Sequence, residues 1–348
     1  MRHIVSLILL ALAWCAPATA AEAPYPVGLQ HNVVFTETAP LAGGSQLMRR
    51  MLRPLAANQV SEALAASGKT LNEQSIALPD ERFVVYVPPA PPGPHGYGLL
   101  VFVPPWEGAL MPLDWPPVMA RLGIIYVSAG HSGNETDTFG RRAPLALIAA
   151  RNIMARYPVD PDRTYVGGFS GGSRVAMRLA MGYPDLFRGA ILNAGSDPVG
   201  DDGAPLPPRE LFDRFESQNR LVYVTGDEDM VNLNADSGSL SAMSRSCVLA
   251  VTANISPHAG HKAMDDAALA EAIGQLDHPK PVDPAKLTAC RAAQDGRITA
   301  ALDQVRADLA AGRPDAARGA LIALDRRYGG LAAPASVDLW RASQSVAH

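Results

Sequence analysis

The chain has 348 residues, 48% hydrophobic and 18% charged, which is the composition of a soluble globular protein with one large domain or two modest ones. The formal net charge is −4, acids and bases are interspersed, and no basic stripe follows the pattern of a phosphate backbone, so nucleic acid is a poor partner. A small or neutral molecule suits this balance better.

The first residues, "MRHIVSLILLALAWCAPATAAEAPYP", combine a basic start (Arg2, His3), an apolar run from Ile4 to about Ala13 and an A-x-A site at Ala18 to Ala20. This is the pattern of a signal peptide, residues 1–20, and it predicts a secreted or periplasmic protein. About ten apolar residues fall short of the roughly 20 that a membrane-spanning helix needs. The bulky Trp14 before Cys15 fits lipoprotein processing poorly, and no later segment is long and apolar enough to span. With the signal removed, Cys247 and Cys290 remain in a compartment that permits disulfides, either bridged or as two buried thiols.

Residues 45–67 read as helical despite Pro54, within an N-terminal extension covering 21–79. Runs of β-branched and apolar residues at 82–87, 98–103, 123–128, 163–168, 189–194, 220–225 and 247–255 read as strands. Helix-like stretches such as 143–157 and 173–183 lie between most of them. This alternation predicts an α/β fold over 80–278: a mostly parallel sheet with helices on both faces. After the Pro-rich break "HPKPVDPAK", helices near 284–311 and 314–327 predict a C-terminal helical extension, 279–348. The extension looks like one helical hairpin of a tetratricopeptide-type repeat, but a single unit cannot stack on itself. It is therefore expected to pack on the main domain, pinned there by Cys290.

Within "VGGFSGGSRVA" (166–176), Gly168-Phe169-Ser170-Gly171-Gly172 follows a predicted strand and opens a predicted helix, the setting of a nucleophile elbow. A bare G-x-S-x-G is moderate evidence; its strand-turn-helix context makes Ser170 a candidate nucleophile. In so tight a turn, the positions two residues either side of the serine crowd each other unless they are glycine. The Gly171 N–H at the helix start suits an oxyanion. A second donor is expected from "VPPWEG" (103–108), where Pro104 and Pro105 lack an N–H and Trp106 is the first residue able to donate.

A serine hydroxyl needs a base to take its proton, and the base needs an orienting acid. In this architecture the chain order is Ser, Asp or Glu, then His. "GDEDMVN" offers Asp227, Glu228 and Asp229, and "SPHAGHKAM" offers His258 and His261.

Across about residues 80–275 the sequence resembles the secreted α/β-hydrolase esterases related to extracellular polyhydroxybutyrate depolymerases and feruloyl esterases, through "GFSGGSRVA", "TGDEDMV", "PHAGH" and "YPDLFRGAILNAGS". The resemblance implies an α/β-hydrolase fold. It selects Asp229, in a G-x-x-D-x-x-V-like loop, and His261, in a Gly-His pair. The "VPPWEG" loop, "MVN" and both terminal extensions depart from the family pattern.

The expectation is a secreted serine hydrolase cleaving carboxylic ester bonds of a small or oligomeric substrate, with Ser170, His261 and Asp229 as triad and Gly171 and Trp106 at the oxyanion. The alternatives are a peptidase or acyltransferase on the same fold, or a binding protein that keeps the fold without the chemistry. No cofactor is called for. His258 and His261 lack the neighbours of a metal site. Trp106 and Trp115 are read as pocket or packing residues, and Arg141, Arg142 and Asn134 as cleft-lining or surface residues.

Overall fold

The computed structural model describes residues 27–201 and 203–345; the expected signal peptide and Cys15 lie outside the described residues. In chain order the main elements are β1 (Gly28–Val33), α1 (Gly44–Met51), α2 (Pro54–Ser67), β2 (Phe83–Val87), β3 (Tyr97–Val103), α3 (Pro116–Leu122), β4 (Ile124–Ala129) and α4 (Ala143–Arg156). Then come β5 (Val159–Phe169), α5 (Gly171–Gly182), β6 (Gly189–Asn193), α6 (Arg209–Gln218), β7 (Arg220–Gly226), α7 (Met230–Arg245), β8 (Val251–Ser256) and α8 (Asp266–Asp277). Helices α9 (Pro284–Ala310), α10 (Pro314–Tyr328) and α11 (Ala335–Ser345) follow.

The strands form one eight-stranded sheet in the order β1-β2-β4-β3-β5-β6-β7-β8. Strand β2 runs antiparallel to β1 and β4, and β3 to β8 pair in parallel. A mostly parallel sheet with an antiparallel start and this crossover order is the α/β-hydrolase fold. Alternation along the strands sorts the core into two clusters. Val85, Val101, Val127, Val166 and Leu192 face α4, α5 and α6, whereas Tyr86, Phe102, Tyr126, Ile191 and Val224 face α3 and α8. Trp115 is fully buried in the second cluster, edge-on to Phe102 and Tyr126. Burying a side chain of this kind stabilises by roughly 1.5–3 kcal/mol.

Several elements differ from the sequence reading, three of them for a plain physical reason. The helix expected over 45–67 is two helices, because Pro54 lacks an N–H and holds Arg53 extended (ψ 139°), so α2 starts afresh. Strand β1 precedes the first expected strand; its polar "GLQHNV" sits at the sheet edge and carries no apolar run. Strand β8 starts at Val251 rather than 247, since Cys247 has a left-handed φ of 65° in the preceding turn.

Helices α9 and α10 pack as a hairpin, and α11 lies against α9 and α2. The side chain of Asp325 on α10 accepts from the Leu55 N–H at 3.2 Å, and Arg341 on α11 donates to Asn58 Oδ1 at 2.6 Å. Cys247 and Cys290 form a disulfide that joins α9 to the turn before β8. Beside it, Arg291 donates to the buried Glu216 of α6 at 2.5 Å.

Candidate active site

Strands β5, β7 and β8 all end at the same edge of the sheet, and each delivers one candidate residue in the connection that follows. Ligands bind at the carboxyl ends of strands in open α/β sheets.

Ser170 sits between β5 and α5 with φ 55° and ψ −122°, a conformation that costs a non-glycine residue about 1–3 kcal/mol. Its N–H donates to Asn193 O at 2.9 Å, which fixes the turn to β6. The glycines around it are obligatory. A Cβ at Gly168 would lie 2.3 Å from the Gly172 carbonyl carbon, and one at Gly172 would lie 2.0 Å from Val103 O. The structure thus gives the turn the shape expected from Gly168 and Gly172.

Asp229 is the N-cap of α7 and is 6% exposed. Its Oδ2 is 2.7 Å from His261 Nδ1, and His261 Nε2 is 3.0 Å from Ser170 Oγ. With the Nδ1 proton directed at the carboxylate, Nε2 is left as acceptor for the serine hydroxyl. Burial alone would raise the pKa of Asp229, but hydrogen bonds from His261 and Asn232 outweigh it and hold the carboxyl below its ordinary range. Asn232 Nδ2 donates to both carboxylate oxygens, at 3.0 and 2.8 Å, and so fixes their rotation.

The other carboxylates and the second histidine stand elsewhere. Asp227 is exposed and accepts from the Ala259 N–H at 3.2 Å; backbone bonds from His258 and Ala259 lower its pKa, so it holds the loop that carries His261. Glu228 is exposed, and His258 is exposed with a left-handed φ of 53°. Among the described residues no group of three or more His, Cys, Asp or Glu side chains could hold a metal ion.

Gly171 is the first residue of α5, where helix N–H groups lack intrahelical acceptors. Trp106 belongs to a peptide whose carbonyl, Pro105 O, accepts from the Asn134 N–H at 3.0 Å. Its ring lies 6.3 Å from Phe169, which lies 4.9 Å from the His261 ring. Trp115, by contrast, is core: its indole N–H donates to Met264 O at 3.0 Å. Arg141 Nη2 donates to both carboxylate oxygens of Glu81, at 2.9 and 2.8 Å. Arg142 is buried and donates to Ser132 O at 2.9 Å and Pro104 O at 2.8 Å, tying the loop after β4 to the loop after β3. Sequence reasoning missed Asn232 and this role of Arg142. The D-x-x-N spacing of an N-capped helix start was the available signal for Asn232.

No family model matches the chain. Over 99 residues it is 27% identical to the poly(3-hydroxybutyrate) depolymerase of Ralstonia pickettii, covering 24% of this chain and 20% of that protein. Over 108 residues it is 32% identical to "Putative esterase NocK" of Nocardia uniformis subsp. tsuyamanensis, covering 30% of this chain and 29% of that one. The matched stretches thus span under a third of either relative. Among solved structures, Est1E from Butyrivibrio proteoclasticus overlays with a TM-score of 0.41 at 14% identity, covering 57% of this chain and 93% of that one; the fold assignment rests on strand order rather than on this overlay. Over the stretches they share, the chain is related to the α/β-hydrolase esterases, as its sequence motifs imply.

Proposed function

We propose that the protein is a serine hydrolase of carboxylic esters. The observation that carries this reading is the continuous chain of contacts from Ser170 Oγ through His261 to the buried Asp229, at 3.0 and 2.7 Å. Ser170 Oγ attacks the acyl carbon while His261 Nε2 takes its proton, and Asp229 stabilises the imidazolium formed. The tetrahedral oxyanion forms beside the Gly171 N–H. Collapse expels the alcohol, which receives the proton from His261, and water then clears the acyl-enzyme by the same steps in reverse order.

His261 is 45% exposed, and Met230 and Val231, which follow Asp229, are 59% and 78% exposed. A base this open to solvent suits an ester of small or oligomeric size. The disulfide supports export to an oxidising compartment, and no described helix is long and apolar enough to cross a membrane.

The test is hydrolysis of p-nitrophenyl acyl esters and methyl ferulate by wild type, Ser170→Ala and Asp229→Asn. Ser170→Ala is expected to abolish turnover and fluorophosphonate labelling. Asp229→Asn is expected to lower kcat by about 10⁴-fold, because the amide favours the wrong histidine tautomer. A wild type with no serine-dependent turnover and no labelling at Ser170 sinks the proposal and favours a binding protein.

A further inference from the structure

The loop that normally supplies the second oxyanion donor contains Pro104 and Pro105, neither of which has an N–H. A different group stands beside the first donor. The side-chain amide of Asn134, in the loop after β4, lies directly against Gly171: a Cβ built on Gly171 would meet Asn134 Oδ1 at 2.2 Å and Nδ2 at 3.2 Å. Asn134 is exposed, so it is not part of the core.

We propose that Asn134 is the second oxyanion donor, its Nδ2 acting with the Gly171 N–H. This rests on the hydrolase reading above. Rotating the amide by 180° exchanges Oδ1 and Nδ2, and an oxyanion beside the Gly171 N–H selects the orientation with Nδ2 inward.

The residue is held where the chemistry needs it. The Asn134 N–H donates to Pro105 O at 3.0 Å, and Thr136 ties the turn by donating from Oγ1 to Gly133 O at 2.7 Å. Buried Arg142 donates to both Ser132 O and Pro104 O, which ties the loop carrying Asn134 to the loop carrying Trp106. A backbone fixed in advance leaves only the amide to orient when charge develops, which keeps the reorganisation small. The same contact explains Gly171: any larger residue there would displace the amide. In a trans peptide the N–H points opposite to the carbonyl, so the Trp106 N–H points away from the Asn134 backbone that Pro105 O faces.

The experiment compares full-length wild type, Asn134→Ala and Asn134→Asp on p-nitrophenyl acetate, and measures inhibition by an aryl trifluoromethyl ketone, whose hemiketal with Ser170 mimics the oxyanion. Asn134→Ala is expected to lower kcat about 10²-fold or more with little change in KM, and to weaken the ketone by a similar factor. Asn134→Asp, nearly isosteric but without a donor and negatively charged, is expected to be worse than Ala on both readouts. Thermal melting should stay at the wild-type value for both variants, since the side chain is exposed. Turnover within about threefold of wild type in either variant, or a fall in kcat with unchanged ketone affinity, overturns the assignment. If wild type itself neither turns over ester nor labels at Ser170, the hydrolase reading falls first, and this proposal falls with it.

Discussion

Replacing both Cys247 and Cys290 by serine should destabilise the protein mainly through the unfolded state. The bridge closes a loop between residues 43 positions apart, and loop-closure entropy for that length amounts to about 4 kcal/mol at 25 °C. The loop encloses β8, the His261 segment, α8 and the first turns of α9. The loss is therefore expected in the unit that carries the proposed base, not only in the terminal helices. Urea unfolding followed by tryptophan fluorescence measures it: at a slope of about 3 kcal/mol per molar, the midpoint should fall by roughly 1 M. The contacts around Arg291 and Glu216 persist in the variant and dock α9 without the bridge. A midpoint within about 0.2 M of wild type would refute the reasoning, because the bridge would then not be restricting the unfolded chain to the extent its loop length implies.

Gly168→Ala places a methyl group 2.3 Å from the Gly172 backbone, so we expect a lower melting temperature and activity reduced by at least about 10²-fold, against a control at the open Gly238. Unchanged activity in a well-folded Gly168→Ala would contradict the geometry of the elbow. Burial raises the pKa of Glu216 to about 7, against the opposing pull of Arg291. The folded state then binds its proton more tightly than the unfolded state, so this group's contribution is full below its ordinary carboxylate range and is lost as pH rises through about 7. Melting temperatures of wild type and Glu216→Gln should accordingly diverge with pH between about 5 and 7.5, and a constant difference between them would rule out this linkage.

Much of the fold was legible because parallel strands buried on both faces must be written as continuous apolar runs. "GLLVFV" and "GIIYVS" became β3 and β4 within a residue or two. Edge strand β1 has one exposed side and no such obligation, so "GLQHNV" gave no signal. Ser170 was legible because the elbow imposes glycine on its neighbours through backbone contacts that any side chain would violate. Asp229 and His261 were picked out only with the help of family resemblance. Their loops offer other carboxylates and another histidine, and only the folded chain separates Asp227, which holds the loop, from Asp229, which meets the imidazole. Asn134 and Arg142 carried no local pattern. The contacts of Arg142 and the role proposed for Asn134 come from two loops meeting in space, a contact between positions such as 104 and 142 that no spacing rule encodes.

The contacts of α2 with α10 and α11 also set a timetable for synthesis. Leu55 waits for Asp325, 270 positions later, and Asn58 for Arg341, 283 positions later. At translation speeds of about 5–20 residues per second, the interval is roughly a quarter of a minute to a minute. Throughout it Leu55, 5% exposed in the finished protein, has only part of its final shelter. A chain that ends before Asp325 thus lacks the partners of both Leu55 and Asn58, and α2 takes its final place only once the last helices have been made.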